Sequence, residues 1–172
     1  ADHLGEVVVH ALELTRLESG EDFVCAETFE VASVIEHLTK EFAAALKMQQ
    51  NKLLLEVPAD LGQATTDAVK VQQVLHHLLI NANKFTHGGT IHLSARADGD
   101  MLEMRISDEG IGIPEVTRSA VFDAFAEVDR TTKRLFGGAL AGLAVSSGLA
   151  ELLGGSLTLG EPRATGAEFV FR

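Results

Sequence analysis

Four short stretches of the 172-residue chain carry side chains able to do chemistry. The first is Gln73-Val-Leu-His-His-Leu-Leu-Ile-Asn-Ala-Asn-Lys-Phe-Thr86. On a helix, His77, Asn81 and Lys84 recur at steps of four and three, so they share a face. An apolar helix that interrupts itself with Asn and Lys along one edge exposes that edge to something polar. An amide oxygen suits a hard cation such as Mg2+, which keeps most of its waters and takes few protein ligands. A lysine one turn on suits the phosphates that such a cation bridges. The plainer alternative is a polar helix end with a solvated lysine.

The second stretch is Asp108-Glu-Gly-Ile-Gly-Ile-Pro114, at the end of an expected strand, where ligands tend to bind. Gly110 and Gly112 lack a Cβ and let the backbone approach a flat ligand. A buried carboxylate beside a planar base accepts a hydrogen bond from an exocyclic amine, which selects adenine over guanine. An ordinary Asp-Glu-Gly turn is the competing reading. The third stretch, Val121-Phe-Asp-Ala-Phe125, offers Phe122 and Phe125 as an aromatic anchor for a lid, or as two core residues. The fourth, Phe136-Gly-Gly-Ala-Leu-Ala-Gly-Leu143, opens a helix. Glycines before a helix N-terminus suit a phosphate, because free N–H groups and the helix dipole face the anion. A flexible linker before a buried helix is the alternative.

The elements that must position these residues follow from hydrophobic period. Apolar residues at 4, 8, 11, 14 and 17 make a first helix, with Ser19-Gly20 as its stop. Its complete stripe needs a partner, expected upstream or on another copy of the chain, the alternative being this domain's own core. A second helix spans 30–49 with Thr28 as N-cap, and a third runs from Asp67, its cap, to about Phe85. Lys52–Val57 is a short strand ended by Pro58. Thr90–Ala97 and Met101–Ser107 alternate as strands about an Asp98-Gly99 hairpin. Residues 116–126 are helical in part, and 127–141 read as a polar mobile loop. A last helix, Gly142–Leu153, precedes closing strands at 155–159 and 167–171, joined through Pro162 and Gly166. The expectation is an α/β fold, a two-layer sandwich with helices on one face of a mixed, mostly antiparallel sheet.

Composition narrows the classes. Fourteen Lys and Arg against twenty-five Asp and Glu give a net charge of −11, which argues against nucleic acid and anionic membranes as partners. The single cysteine, Cys25, allows no internal disulfide. No apolar run is long enough to span a bilayer. The chain opens mid-pattern without a methionine, so a fragment of something longer is expected. His76-His77 is no metal pair, because adjacent helix residues point about 100° apart, and no Cys/His cluster has zinc spacing.

Taken together and in order, these motifs resemble the catalytic, ATP-binding domain of bacterial sensor histidine kinases in the GHKL ATPase superfamily. Residues 73–86 are similar to the N-box, Asp108–Ile113 to the G1 box, Val121–Phe125 to the F-box and Gly138–Leu143 to the G2 box. Leu14-Thr-Arg-Leu-Glu-Ser-Gly20 is similar to the exit from the family's second dimerisation helix. The resemblance implies the GHKL (Bergerat) fold, with residues 1–20 as the end of a dimerisation helix and 21–172 as the ATP-binding domain. It implies ATP and Mg2+ as cofactors, with Asn81 holding Mg2+ and Lys84 near the phosphates. Asp108 would read the adenine amino group, Gly110 and Gly112 would shape the base pocket, and Gly138 and Gly142 would flank the phosphates. Phe122 would anchor the lid, and Arg134, with Arg130 and Lys133, would approach the phosphates.

The implied function is protein-histidine kinase activity in a two-component phosphorelay. The γ-phosphoryl group would pass to a histidine on a dimerisation helix outside this fragment. The implied partners are the dimerisation and phosphoacceptor domain of the same protein, a second copy in a homodimer, and a response regulator. A cytoplasmic location is expected, with the parent protein open to membrane anchoring.

Three departures qualify this. His77 replaces the first N-box asparagine, where ATP-hydrolysing relatives carry a glutamate base, and a neutral His there accepts a proton or bonds a metal-bound water. Leu140 stands where the G2 box has glycine. If that position needs positive φ, Leu costs about 1–2 kcal/mol in strain, or about tenfold in affinity. His3 and His10 lack the Glu/Asp-x-Arg-x-Pro sequence of the family's phosphorylated histidine and read as surface residues. The alternative function is a pseudokinase-like signalling module with impaired ATP use. A hydrolytic relative is disfavoured by the missing glutamate.

Overall fold

A computed structural model describes residues 2–123 and 130–172. The elements run α1 (Asp2–Glu18), β1 (Glu27–Glu30), α2 (Val31–Met48), β2 (Lys52–Glu56), β3 (Gln63–Thr66), α3 (Ala68–Phe85), β4 (Thr90–Asp98), β5 (Met101–Asp108), α4 (Glu115–Arg118), α5 (Arg130–Leu152), β6 (Leu157–Leu159) and β7 (Glu168–Phe171). The main sheet has five strands in the order β2-β4-β5-β7-β6, and among the described residues only its β2–β4 pair is parallel. Helices α2, α3 and α5 supply the layer above it, so the mixed, mostly antiparallel sandwich expected from the sequence is the observed architecture.

Alternation makes the core. Ile91, Leu93 and Ala95 of β4 and Met104 and Ile106 of β5 turn to one face and are buried under Val74, Leu75, Leu78 and Leu79 of α3. The α3 stripe falls at helical spacing, and Asp67 caps the helix by accepting from the Lys70 N–H at 3.0 Å. Its other carboxylate oxygen accepts from the Cys25 N–H at 2.9 Å, which ties the chain after α1 to the start of α3.

Several expectations are corrected. Thr28 does not cap α2. It lies in β1, where its hydroxyl meets that of Thr65 in β3 at 2.9 Å, and Glu30 is the N-cap without a side-chain bond. The β1–β3 ladder has no counterpart among the expected strands. The hairpin turn is Gly99-Asp100, because Asp98 pairs with Met101, and Gly99 takes the positive φ of +63° that such a two-residue turn requires. The last helix is much longer than 142–153. It starts at Arg130, so residues 130–141, expected as a mobile loop, are helical. The glycines at 137 and 138 pointed to a loop. Ala139, Leu140 and Leu143 nonetheless form a buried stripe that carries the helix through them.

Helix α1 finds its partner within the chain. It packs along α5, with Leu14 and Leu17 against the core, while Val8, Val9 and Leu12 stay exposed. The Leu17 side chain sits 3.1 Å from where a Cβ on Gly148 would lie, so the missing side chain permits the close approach. Among the described residues no helix is long and apolar enough to cross a membrane.

Candidate functional site

Two cavities meet at Asn81. The first is lined by Asn81 and Phe85 of α3, Asp108 at the end of β5, Gly112 and Ile113 after it, and Leu140 and Leu143 of α5, with Thr117, Val121 and Phe169 behind them. It is an apolar slot with one acid in it. The second, of about 490 Å³, opens on the other side of α3 and is lined by His10, His77, Asn81, Lys84, Gly138 and Gly142. The structure therefore brings Asn81, Lys84, Gly138 and Gly142 to one hollow and Asp108 and Gly112 to its neighbour.

Asp108 ends β5 and is 7% exposed. Its Oδ1 accepts from the Gly110 N–H at 2.8 Å and from the Thr86 hydroxyl at 3.5 Å. Burial pushes the carboxyl up from its usual range, against the downward pull of the Gly110 and Ala167 N–H groups, the Thr86 hydroxyl and the charge of Arg163. No cation is bonded to it among the described residues. A buried carboxylate with neutral donors and no bonded counter-charge is an acceptor in want of a donor, which an exocyclic amine provides.

The glycines around it are sterically required. A Cβ on Gly110 would collide with the Phe85 carbonyl oxygen, and one on Gly166 would collide with the Asp108 carbonyl. The Ile111 N–H bonds the Phe85 carbonyl at 3.2 Å, and the Gly166 N–H bonds that of Gly110 at 2.8 Å. These bonds pin the turn after β5 between the end of α3 and the β7 approach. Gly112 adopts φ +74°. Sequence reasoning missed Thr86, Gly166 and Ala167 as neighbours of Asp108. The signal was there for Thr86, a polar residue closing an apolar helix next to the expected base pocket.

Asn81 is 7% exposed, and its Nδ2 is buried without a hydrogen-bond partner. A buried amide N–H without a partner between two cavities wants an acceptor, which a phosphate oxygen supplies, while the Oδ1 of the same side chain is the atom suited to a cation. Lys84 is exposed, and its ammonium lies 5.6 Å from the Phe85 ring centroid. Gly138 and Gly142 lie inside α5, so they do not precede a helix N-terminus as expected, and what they offer the hollow is a wall without side chains. Phe122 is half-buried and stacks edge-on to Phe169 at 6.3 Å. Phe125 lies outside the described residues, as do the side chains of His3, Arg130, Lys133 and Arg134.

His77 faces Ser146 of α5, with Nδ1 3.2 Å from Oγ. That Oγ donates to the Gly142 carbonyl at 2.8 Å, so its lone pair accepts the Nδ1–H, and Nε2 is left as the free lone pair. Burial first, then the nearby His10 and His76 rings, push His77 down to about 4, so it is neutral at pH 7. His10 is not the surface residue expected. Its ring lies 5.2 Å from that of His77, edge to face, and its Nδ1 is buried.

Leu140 has a helical backbone, not a positive φ, so it carries no backbone strain here. Its effect is volume. It is 5% exposed, and the cavity it lines has about 30 Å³ of free space, room for one or two waters and too little for a purine. The donor set thus fits Mg2+ and phosphate at the Asn81–Lys84 edge and an adenine amine at Asp108. A purine there needs more room than the Leu140 side chain leaves.

An α/β sandwich whose apolar slot holds a single acid, Asp108, beside glycine-permitted turns, with an Asn-Lys edge one cavity away, has the layout of a nucleotide-binding domain. Residues 66–172 match HATPase_c, the histidine kinase-, DNA gyrase B- and HSP90-like ATPase family, and the chain belongs to that family. It is similar to the sensor histidine kinase RcsC of Escherichia coli strain K12, at 31% identity over 97% of this chain and 18% of the relative. It is also similar to the crystal structure of full-length ShkA in complex with AMPPNP, with a TM-score of 0.85 and 27% identity over 99% of this chain and 35% of that one. The fold is shared with histidine kinase ThkA in its complex with the response regulator TrrA, with a TM-score of 0.78 and 21% identity over 99% and 47% of the two chains. The chain spans less than a quarter of the length of RcsC.

Proposed function

We propose that this chain is the ATP-binding catalytic part of a two-component sensor histidine kinase. It would hold ATP·Mg2+ and present the γ-phosphoryl group to a histidine on a dimerisation helix supplied by the rest of a homodimeric protein, with a response regulator as the onward acceptor. Residues 1–20 would be the end of that dimerisation helix. The observation that carries this is the pairing of Asp108, buried without a bonded cation, with the Asn81–Lys84 edge one cavity away.

In this reading Asp108 accepts from the adenine amine, Gly112 lines the base pocket, and Gly110 lets the turn after β5 close onto Phe85 so that Asp108 faces that pocket. Asn81 holds Mg2+ by its amide oxygen. Lys84 faces the phosphates, flanked by Gly138 and Gly142, with Arg134 as a further cation for them and Phe122 as the aromatic anchor beside the site. His77, neutral, accepts a proton or a water's hydrogen bond at Nε2. The metal supplies charge neutralisation at the phosphates, and the protein supplies positioning. Calorimetric titration with ATP and Mg2+ tests it: Asn81→Ala and Asp108→Asn should each weaken binding at least tenfold, and unchanged heats would refute it.

A second reading, a binding module with impaired ATP use, is favoured by one observation, the Leu140 side chain in the base cavity. Leu140→Gly separates the two. If Leu140 is the obstacle, the variant gains about tenfold or more in ATP affinity, at about 1.4 kcal/mol per decade. If the wild type already binds ATP and the variant gains nothing, the module reading fails.

A further inference from the structure

His10 and Glu13 of α1 meet His77 of α3 beside α5, and one donor atom from each lies within 4.8 Å of the others. His10 and Glu13 are three apart on α1, so they project from the same face one turn apart. Gly142 of α5 makes room for the arrangement, because a Cβ there would sit 3.3 Å from His10 Cε1. Two polar atoms at this point are idle. His10 Nδ1 and Glu13 Oε2 are both buried and have no hydrogen-bond partner. Burying an unpaired carboxylate oxygen and an unpaired ring nitrogen side by side is costly unless something positive sits between them.

The third donor is prepared for the same occupant. Ser146 passes its proton to the Gly142 carbonyl and takes the His77 Nδ1–H, which fixes the tautomer with Nε2 unprotonated. Metal-bound histidines are oriented in this way through their other ring nitrogen. Two neutral imidazoles and one carboxylate form the three-ligand set of an open tetrahedral zinc site. Zinc bonds of about 2.0–2.1 Å place ligand atoms about 3.4 Å apart, which small side-chain rotations reach from the observed spacing. Nitrogen donors favour a borderline transition ion over Mg2+ or Ca2+, which seek oxygen.

We propose that His10, Glu13 and His77 form a divalent transition-metal site, taking Zn2+, that fastens α1 to α3 beside α5. This does not rest on the nucleotide reading. It is a site separate from the Mg2+ that Asn81 would hold, and it occupies the His77 nitrogen that would otherwise accept a proton. Two ligands come from α1 and the third from α3, far along the chain, so no local spacing announced them. The one sequence signal was His77 in place of asparagine.

The test is calorimetric titration of the whole chain with Zn2+ in the absence of nucleotide, with thermal unfolding alongside. The expected result is one equivalent bound, a raised unfolding midpoint, and no competition from excess Mg2+. His77→Asn and Glu13→Gln should each weaken binding at least tenfold, and Ser146→Ala about tenfold through the lost orientation. Circular dichroism of each variant checks the fold, and the two smallest changes, Glu13→Gln and Ser146→Ala, keep the test decisive if His77→Asn misfolds. Absence of binding, or equal affinity in wild type and a His10→Ala/His77→Asn double variant, would overturn the proposal. Asp108→Asn should leave zinc binding unchanged, so a failure of the nucleotide reading shows separately.

Discussion

Strand β5 carries two buried acids with opposite fates. Glu103 and Asp108 are 0% and 7% exposed, and their odd separation along the strand puts them on opposite faces of the sheet. Glu103 Oε1 accepts from Arg96 Nε at 2.7 Å and Arg105 Nε at 2.8 Å, and Oε2 pairs with Arg172 at 2.5 Å. The Arg96 bond, then the Arg105 bond, outweigh burial and hold its carboxyl down at about 2. Asp108 has only neutral donors bonded to it, and burial wins. Burial alone therefore does not mark function. The acid surrounded by cations ties β4, β5 and the C-terminal arginine together, whereas the acid denied a bonded cation keeps its acceptor capacity for a ligand.

The largest expected effect is on the caged acid. Glu103→Ala should destabilise the fold by about 2 kcal/mol in denaturant unfolding. That is less than the ~3–5 kcal/mol of a fully buried pair, because the three arginines keep 37–60% of their side chains in water. Asp108→Asn should cost less than Glu103→Ala, since it removes no ion pair and its amide oxygen can still accept from the Gly110 N–H. Equal losses would erase the contrast.

The pH profile separates the two acids further. Glu103 has a depressed folded pKa, so its contribution is present above its ordinary 4.5 and is lost as pH falls toward about 2. Asp108 has a raised one, so its contribution is full below its ordinary 3.8 and is lost as pH rises through the folded value. Unfolding curves of Glu103→Gln and Asp108→Asn against wild type should therefore differ from it with opposite slopes in acid. His77, depressed from 6.5 to about 4, adds a loss of stability as pH falls across that window, and His77→Asn should flatten it. A smaller effect than Glu103→Ala is expected at Arg96, the most exposed of the three cations, where Arg96→Ala should lower the denaturation midpoint by less because Arg105 and Arg172 still pair with Glu103.

Much of this was legible in the sequence. Period-2 alternation through β4 and β5 and the apolar stripe of α3 placed Asn81, Lys84 and Asp108 correctly on their elements. The β1 and β3 strands were not legible, because four-residue segments such as Glu-Thr-Phe-Glu carry too few apolar residues to show a period. The first half of α5 was hidden by Gly137 and Gly138, whose low helix propensity was overridden by burial of Ala139, Leu140 and Leu143. The Glu103 cage was half legible: the hairpin sets Arg96 opposite Glu103, but Arg105 and Arg172 join only through side-chain direction and the β5–β7 pairing. The convergence of His10, Glu13 and His77 needed the docking of α1, which no local pattern encodes.

The central claim is that the Asp108 slot is a purine pocket that reads an amine. Calorimetric titration with ATP and with GTP, each with Mg2+, tests it on wild type, Leu140→Gly, and each with Asp108→Asn added. The account predicts ATP favoured over GTP by at least tenfold wherever Asp108 is present, and loss of that preference in Asp108→Asn. Equal affinity for the two nucleotides with Asp108 in place, or a preference that survives its replacement, would contradict it.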